Sequence, residues 1–139
     1  MFFSVSCVFS VVSFLGSAWQ EVERKDQPET HVTASAGRLT LEKIGDNLEV
    51  IDRRTQPEVW YRVTLKTPVG RRLSLICEWI DSNYRVAHRN RYQTKVITRT
   101  PWETHARFRL KPDSAVGMWK VRLILQGREL HSLAFRVRD

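Results

Sequence analysis

From His31 onward, apolar and polar side chains alternate with a period of two, the spacing expected of half-buried strands. The clearest stretch covers residues 102–110, where Trp102, Thr104, Ala106, Phe108 and Leu110 share one face and Glu103, His105, Arg107 and Arg109 the other. Residues 118–125 repeat the arrangement, with Trp119, Val121, Leu123 and Leu125 inward and Lys120 and Arg122 outward. Leu133, Phe135 and Val137 alternate with Ala134, Arg136 and Arg138 at the C-terminal end, after a turn at Gln126 and Gly127. Residues 59–65 form a strand with Val59, Tyr61, Val63 and Leu65 in phase, and a turn at residues 68–70 leads to another over 71–80. Shorter strands are expected within 31–44 and at Leu48, Val50 and Ile51, separated by the turn residues Gly45, Asp46 and Asn47. Asp81, Ser82 and Asn83 close a strand, residues 84–91 fit no single period, and 92–97 read as a further strand. No window carries the i, i+3, i+4, i+7 stripe of an amphipathic helix. Strands with one apolar face must bury those faces together, and two stacked sheets do so. The expected fold is therefore an all-β antiparallel β-sandwich of about seven strands.

Within that pattern, the run from Leu110 through Lys111, Pro112, Asp113 and Gly117 to Trp119 and Val121 resembles the corner of an immunoglobulin-like sandwich. There an apolar strand ends, a polar glycine-containing connection crosses between sheets, and an aromatic opens the next strand; Trp119 stands where such domains often place tyrosine. The wider series of Trp79, Tyr92, Thr94, Gly117, Trp119, Val121, Gly127, Phe135 and Val137 is similar to a family of small bacterial immunoglobulin-like domains of unknown function. The resemblance covers residues 59–139. It implies an immunoglobulin-like fold and an envelope-associated setting, with no catalytic residues to carry over.

The N-terminal part has a different composition. Residues 1–18 contain no Asp, Glu, Lys, Arg or His and end in Gly16, Ser17 and Ala18, the pattern of a signal peptide, although no basic residue opens it. An uncleaved membrane anchor is the alternative, weakened by five serines within the stretch. Residues 19–30 read as a polar linker and 31–139 as the sandwich domain. Export, periplasmic or secreted, is the expectation, with membrane proximity if the leader is retained. All of the net charge of +8 then lies on the remainder of the chain, which favours an anionic partner or a solvated surface.

Composition and spacing offer little catalytic chemistry. His31, His88, His105 and His131 are scattered, with no His-x-His or Cys-x-x-Cys spacing for a metal. Each reads best as a surface histidine; an enzymatic site assembled from His105 and His131 on neighbouring strands is the least favoured reading. There is no Gly-x-Ser-x-Gly elbow and no glycine-rich phosphate loop. Cys77 keeps phase with Leu73, Leu75 and Trp79 and should be a buried thiol. Neither a cofactor nor a metal is expected. The binding candidates are Arg85, Arg89, Arg91, Tyr92 and Lys95, where guanidinium forks alternate with an aromatic and amides, and Trp60, which is out of phase with the core. The expected function is a non-catalytic exported module docking onto a protein or an envelope component. Polyanion binding by a basic face, with envelope glycan or lipid phosphate ahead of nucleic acid, is the alternative.

Overall fold

A computed structural model describes residues 31–41, 45 and 47–139 of the chain. The expected leader and linker, residues 1–18 and 19–30, lie outside the described residues. Eight strands follow one another: β1 (Thr33–Thr40), β2 (Val50–Asp52), β3 (Glu58–Lys66), β4 (Ser74–Ile80), β5 (Val86–Gln93), β6 (Trp102–Arg109), β7 (Gly117–Leu125) and β8 (Arg128–Arg138). They form a three-stranded sheet in the order β1-β3-β6 and a five-stranded sheet in the order β2-β8-β7-β4-β5. Every pairing is antiparallel except that of β2 with β8, which is parallel. β2 is three residues long, and an Asp52-capped 3-10 turn over Arg53–Thr55 carries the chain from it toward β3 in the other sheet.

The inward faces meet in one core, as alternation requires. Val59, Tyr61, Val63 and Leu65 of β3 face Leu75, Cys77 and Trp79 of β4 together with Trp119, Val121, Leu123 and Leu125 of β7. At its centre lies an aromatic cluster: the Trp79 ring sits 5.5 Å from Phe108 and 6.3 Å from both Tyr61 and Phe135. Trp119 lies 5.8 Å from Phe108 and 6.0 Å from Phe135. Tilted and edge-on contacts at these separations suit the ring quadrupoles.

The connections carry the turn chemistry that the sequence advertises. Gln126 and Gly127 adopt φ of 49° and 75°, the left-handed pair that closes a tight β7–β8 hairpin. At the start of β7, Gly117 has φ of 125°, and a Cβ there would lie 2.9 Å from Ser82 Cβ, so backbone conformation and space both require glycine. Asp81 Oδ1 accepts from the Asn83 and Arg85 amides and shapes the β4–β5 turn.

One strand was misplaced by periodicity. The segment expected at 92–97 is strand only through Gln93, and the ambiguous stretch before it is the body of β5. Beyond Gln93 the chain keeps single bonds to the segment that leads into β4, from Thr94 N to Leu73 O and from Ile97 N to Arg71 O, as it crosses to β6.

Candidate functional site: the open side between two edge strands

β5 ends the five-stranded sheet and β6 ends the three-stranded sheet, and the two lie on the same side of the sandwich. No main-chain ladder joins them. Side chains do so instead, and β5 is built for this purpose: His88, Asn90 and Tyr92 point inward, where polar groups close the core. His88 stacks on Phe108 at 5.2 Å. Asn90 accepts from Trp79 Nε1 at 2.8 Å and donates to the Arg107 carbonyl at 3.1 Å. The Tyr92 hydroxyl shares a 2.8 Å hydrogen bond with Thr104 Oγ1, and burial pushes its pKa up to about 12.

Between these links runs an open groove of about 520 Å³ lined by Glu58, Asn90, Arg91, Tyr92, His105, Ala106 and Arg107. Its charge is biased to positive. Arg107 and Arg109 share the single carboxylate of Glu58, at 3.6 and 3.5 Å. Arg91 is exposed, with no carboxylate partner among the described residues.

The residues expected to form one site therefore separate. Arg91 and Tyr92 both line this groove, but Tyr92 spends its hydroxyl on Thr104. Arg89 faces outward and is engaged with Glu78, Arg85 sits in the turn before β5, and Lys95 lies beyond its end, exposed. Trp60 lies on the outer face of the other sheet. Its ring is flanked by His105 at 5.1 Å and by the guanidinium carbons of Arg107 and Arg62 at 4.9 and 5.3 Å.

Arg89 belongs to a different arrangement. Glu78 points from β4 to the outer face of the five-stranded sheet and is only 5% exposed, because two arginines close over it. Arg89 Nε donates to one carboxylate oxygen and Arg122 Nε to the other, each at 2.8 Å. Burial alone would raise the Glu78 pKa; the hydrogen bonds and charges of Arg89 and Arg122 outweigh it and hold the carboxyl below its ordinary range.

No protein-family model matches the sequence, and no curated protein matches it. Solved structures do. An immunoglobulin-like protein from Pseudomonas aeruginosa superposes with a TM-score of 0.55 at 12% identity, over 77% of this chain and 96% of that one. The chain has an immunoglobulin-like fold. An alkylpurine DNA glycosylase from Pseudomonas fluorescens, bound to DNA with an abasic-site analogue, gives 0.54 at 16% identity over 78% of this chain, which spans only 31% of the glycosylase.

In this immunoglobulin-like domain the histidines do not converge. His105 faces outward from β6 against Trp60, whereas His131 points inward from β8 in the opposite sheet. The surface reading of His131 is thus overturned. Its Nδ1 lies 2.5 Å from the hydroxyl of buried Tyr61, and burial lowers its pKa, with Glu129 opposing. Tyr61 is itself shifted upward by burial. Cys77 is fully buried as expected; burial, with the Glu78 charge, pushes its thiol up to about 12, the opposite of an activated nucleophile. Among the described residues, no group of three or more His, Cys, Asp or Glu is placed to hold a metal, and no helix is long and apolar enough to cross a membrane.

The sequence places Asn90 in the basic stretch 85–95 and Arg107 among the outward basic residues without specifying the links they make, and it does not distinguish Arg62. Asn90 and Arg107 gave one detectable signal, a polar inner face on β5 opposite an edge strand. Arg62 gave none, since outward arginines are the norm on a sandwich.

Proposed function

We propose that this domain is a non-catalytic docking module whose contact surface is the groove between β5 and β6, and that its occupant is an extended acidic segment of a partner protein. The observation that carries the reading is the juxtaposition of two sheet-ending strands with no ladder between them. An edge strand offers unpaired N–H and C=O groups, and an extended peptide that adds to it gains main-chain hydrogen bonds while side-chain pockets supply selectivity. The Arg107 carbonyl is already occupied by Asn90, which sets where an added segment can begin to pair. Arg91, together with Arg107 and Arg109 over one glutamate, favours an acidic occupant. Action after export is part of the proposal and rests on residues 1–18; the mature chain should then begin at Trp19 by N-terminal mass determination.

Polyanion binding is the second reading, favoured by the net charge of +8. Several of the basic side chains that contribute to it are held in ion pairs within the fold, Arg89 and Arg122 sharing Glu78 and Lys120 lying 3.3 Å from Glu129, although such pairs leave the net charge unchanged. Identity of 16% to a DNA-bound glycosylase speaks to fold alone and lends this reading no weight.

The two readings separate in one experiment. Tagged full-length chain and an Arg91→Glu variant are used to capture material from native envelope extract across a salt series. Docking predicts one defined protein that survives high salt and is lost with the variant. Anionic material whose capture falls steeply with salt, whatever the residue at 91, would overturn docking in favour of polyanion binding.

A further inference from the structure

The open side between β5 and β6 holds a second hollow, of about 280 Å³, toward the start of β5 and the end of β6. It shares Glu58 and Arg107 with the 520 Å³ groove, so the two adjoin. Its other walls are Arg109, Lys111, Ala87 and the two rings of His88 and Phe108.

The aromatic wall sets this hollow apart. A column of rings leads out of the core, from Trp79 to Phe108 at 5.5 Å and from Phe108 to His88 at 5.2 Å, the last two stacked at 23°. Phe108 is only 9% exposed, whereas His88 is exposed, so the column reaches solvent at His88. His88 Nε2 lies 3.3 Å from Asn90 Nδ2, which helps fix the ring. A fixed ring at the surface, continuous with an aromatic core, is covered best by one more ring in offset or edge-on contact. The charges beside it point the same way. Arg107 and Arg109 divide the one carboxylate of Glu58, and Lys111 is exposed, with no carboxylate partner among the described residues. Cations at the border of a pocket are attracted to the negative face of an aromatic ring, which an aliphatic side chain does not offer. They also favour acidic residues on either side of that ring. The volume admits one aromatic side chain and not a further stretch of chain.

We propose that this hollow is the anchor pocket for one aromatic side chain of the acidic segment that docks between β5 and β6. The inference rests on that docking reading and gives its selectivity: Arg91, Arg107 and Arg109 read the acidic residues, and His88, Phe108 and Lys111 read the aromatic one.

The test measures binding of blocked heptapeptides to the full chain at constant ionic strength. Each peptide carries three glutamates on either side of a central Phe, Leu or Ala. The Phe peptide should bind several-fold tighter than the Leu peptide, and the Ala peptide weakest. In His88→Ala that preference should vanish while the Ala peptide binds as before, and Arg91→Glu should weaken all three. No binding to the wild-type chain, or binding indifferent to Arg91→Glu, would overturn the docking reading and this inference with it. Binding that is lost with Arg91→Glu but equal for Phe and Ala would leave docking standing and overturn the anchor pocket alone, as would a Phe preference that persists in His88→Ala. Equal binding of Phe and Leu would overturn the choice of an aromatic side chain. Should His88→Ala not fold, the ring proton resonances of His88 in the wild-type chain give the second arm. The Phe peptide should displace them by its ring current and the Ala peptide should not; identical shifts from both would overturn the proposal.

Discussion

Glu78 shows how a single side chain can carry a disproportionate share of a sheet. Two arginines from neighbouring strands, β5 and β7, converge on one nearly buried carboxylate, so removing its charge leaves two guanidinium groups without their acceptor. Breaking such a pair costs far more than the intact pair contributes. Glu78→Gln should therefore lower stability by about 1–3 kcal/mol in denaturant unfolding. The pH dependence has a definite sign. The folded Glu78 pKa lies below 4.5, so the unfolded chain binds more protons in that range and stability falls with acid. The Glu78 contribution should be complete above the ordinary glutamate range and disappear as pH drops through the folded value. His131 acts higher on the scale: its folded pKa is below 6.5, so stability should begin to fall as pH decreases past the ordinary histidine range. A stability profile flat from pH 7 to 5 would contradict the buried, Tyr61-bonded placement of His131. Asn90 has an equally specific role. Asn90→Ala removes the acceptor of Trp79 Nε1 and the donor to Arg107 at once, and a cost of about 1–3 kcal/mol is expected from the unpaired indole N–H. An effect within experimental error would mean that the two sheets do not meet there as described.

At the scale of elements, β1 is held against β8 by a close approach that only glycine permits. Gly37 faces His131, and a Cβ at Gly37 would lie 2.2 Å from Cε1 of that ring. Because Tyr61 fixes the ring, it cannot swing aside without losing its hydrogen bond. Gly37→Ala should destabilise by about 1–3 kcal/mol, the cost of overpacking, and His131→Ala in the same chain should recover part of that loss. Additive losses in the double variant would contradict the contact. How much of these elements the sequence revealed depends on what each strand buries. β3, β6 and β7 face aromatic and aliphatic partners, and their alternation placed them directly. β5 escaped because its inward residues are His88, Asn90 and Tyr92; a strand that closes the core with polar groups has no hydrophobic period to read. His131 escaped for a related reason. The alternation of Leu133, Phe135 and Val137 continues to it, so its phase points inward, whereas its polar side chain alone suggests the surface. The Glu78 cluster depends on which strands are neighbours, which periodicity does not specify.

For the whole molecule, the arrangement joins a firmly stitched core to two sheet-ending strands on one side. Of the binding residues read from the sequence, Arg91 and Tyr92 meet at that side, while Arg89 and Trp60 are spent on Glu78 and on the Arg62–Arg107–His105 group. Basic side chains thus divide into those engaged within the fold and those that stay exposed, and net charge alone does not separate them. The most direct test of the docking account is site-specific photocrosslinking in the native host, with a photoreactive amino acid placed at Arg91 in one full-length chain and at Lys120, on the outer face of β7, in another. The account predicts a single discrete protein adduct from position 91 and none from position 120. No adduct at 91, or the same adducts from both positions, would contradict it.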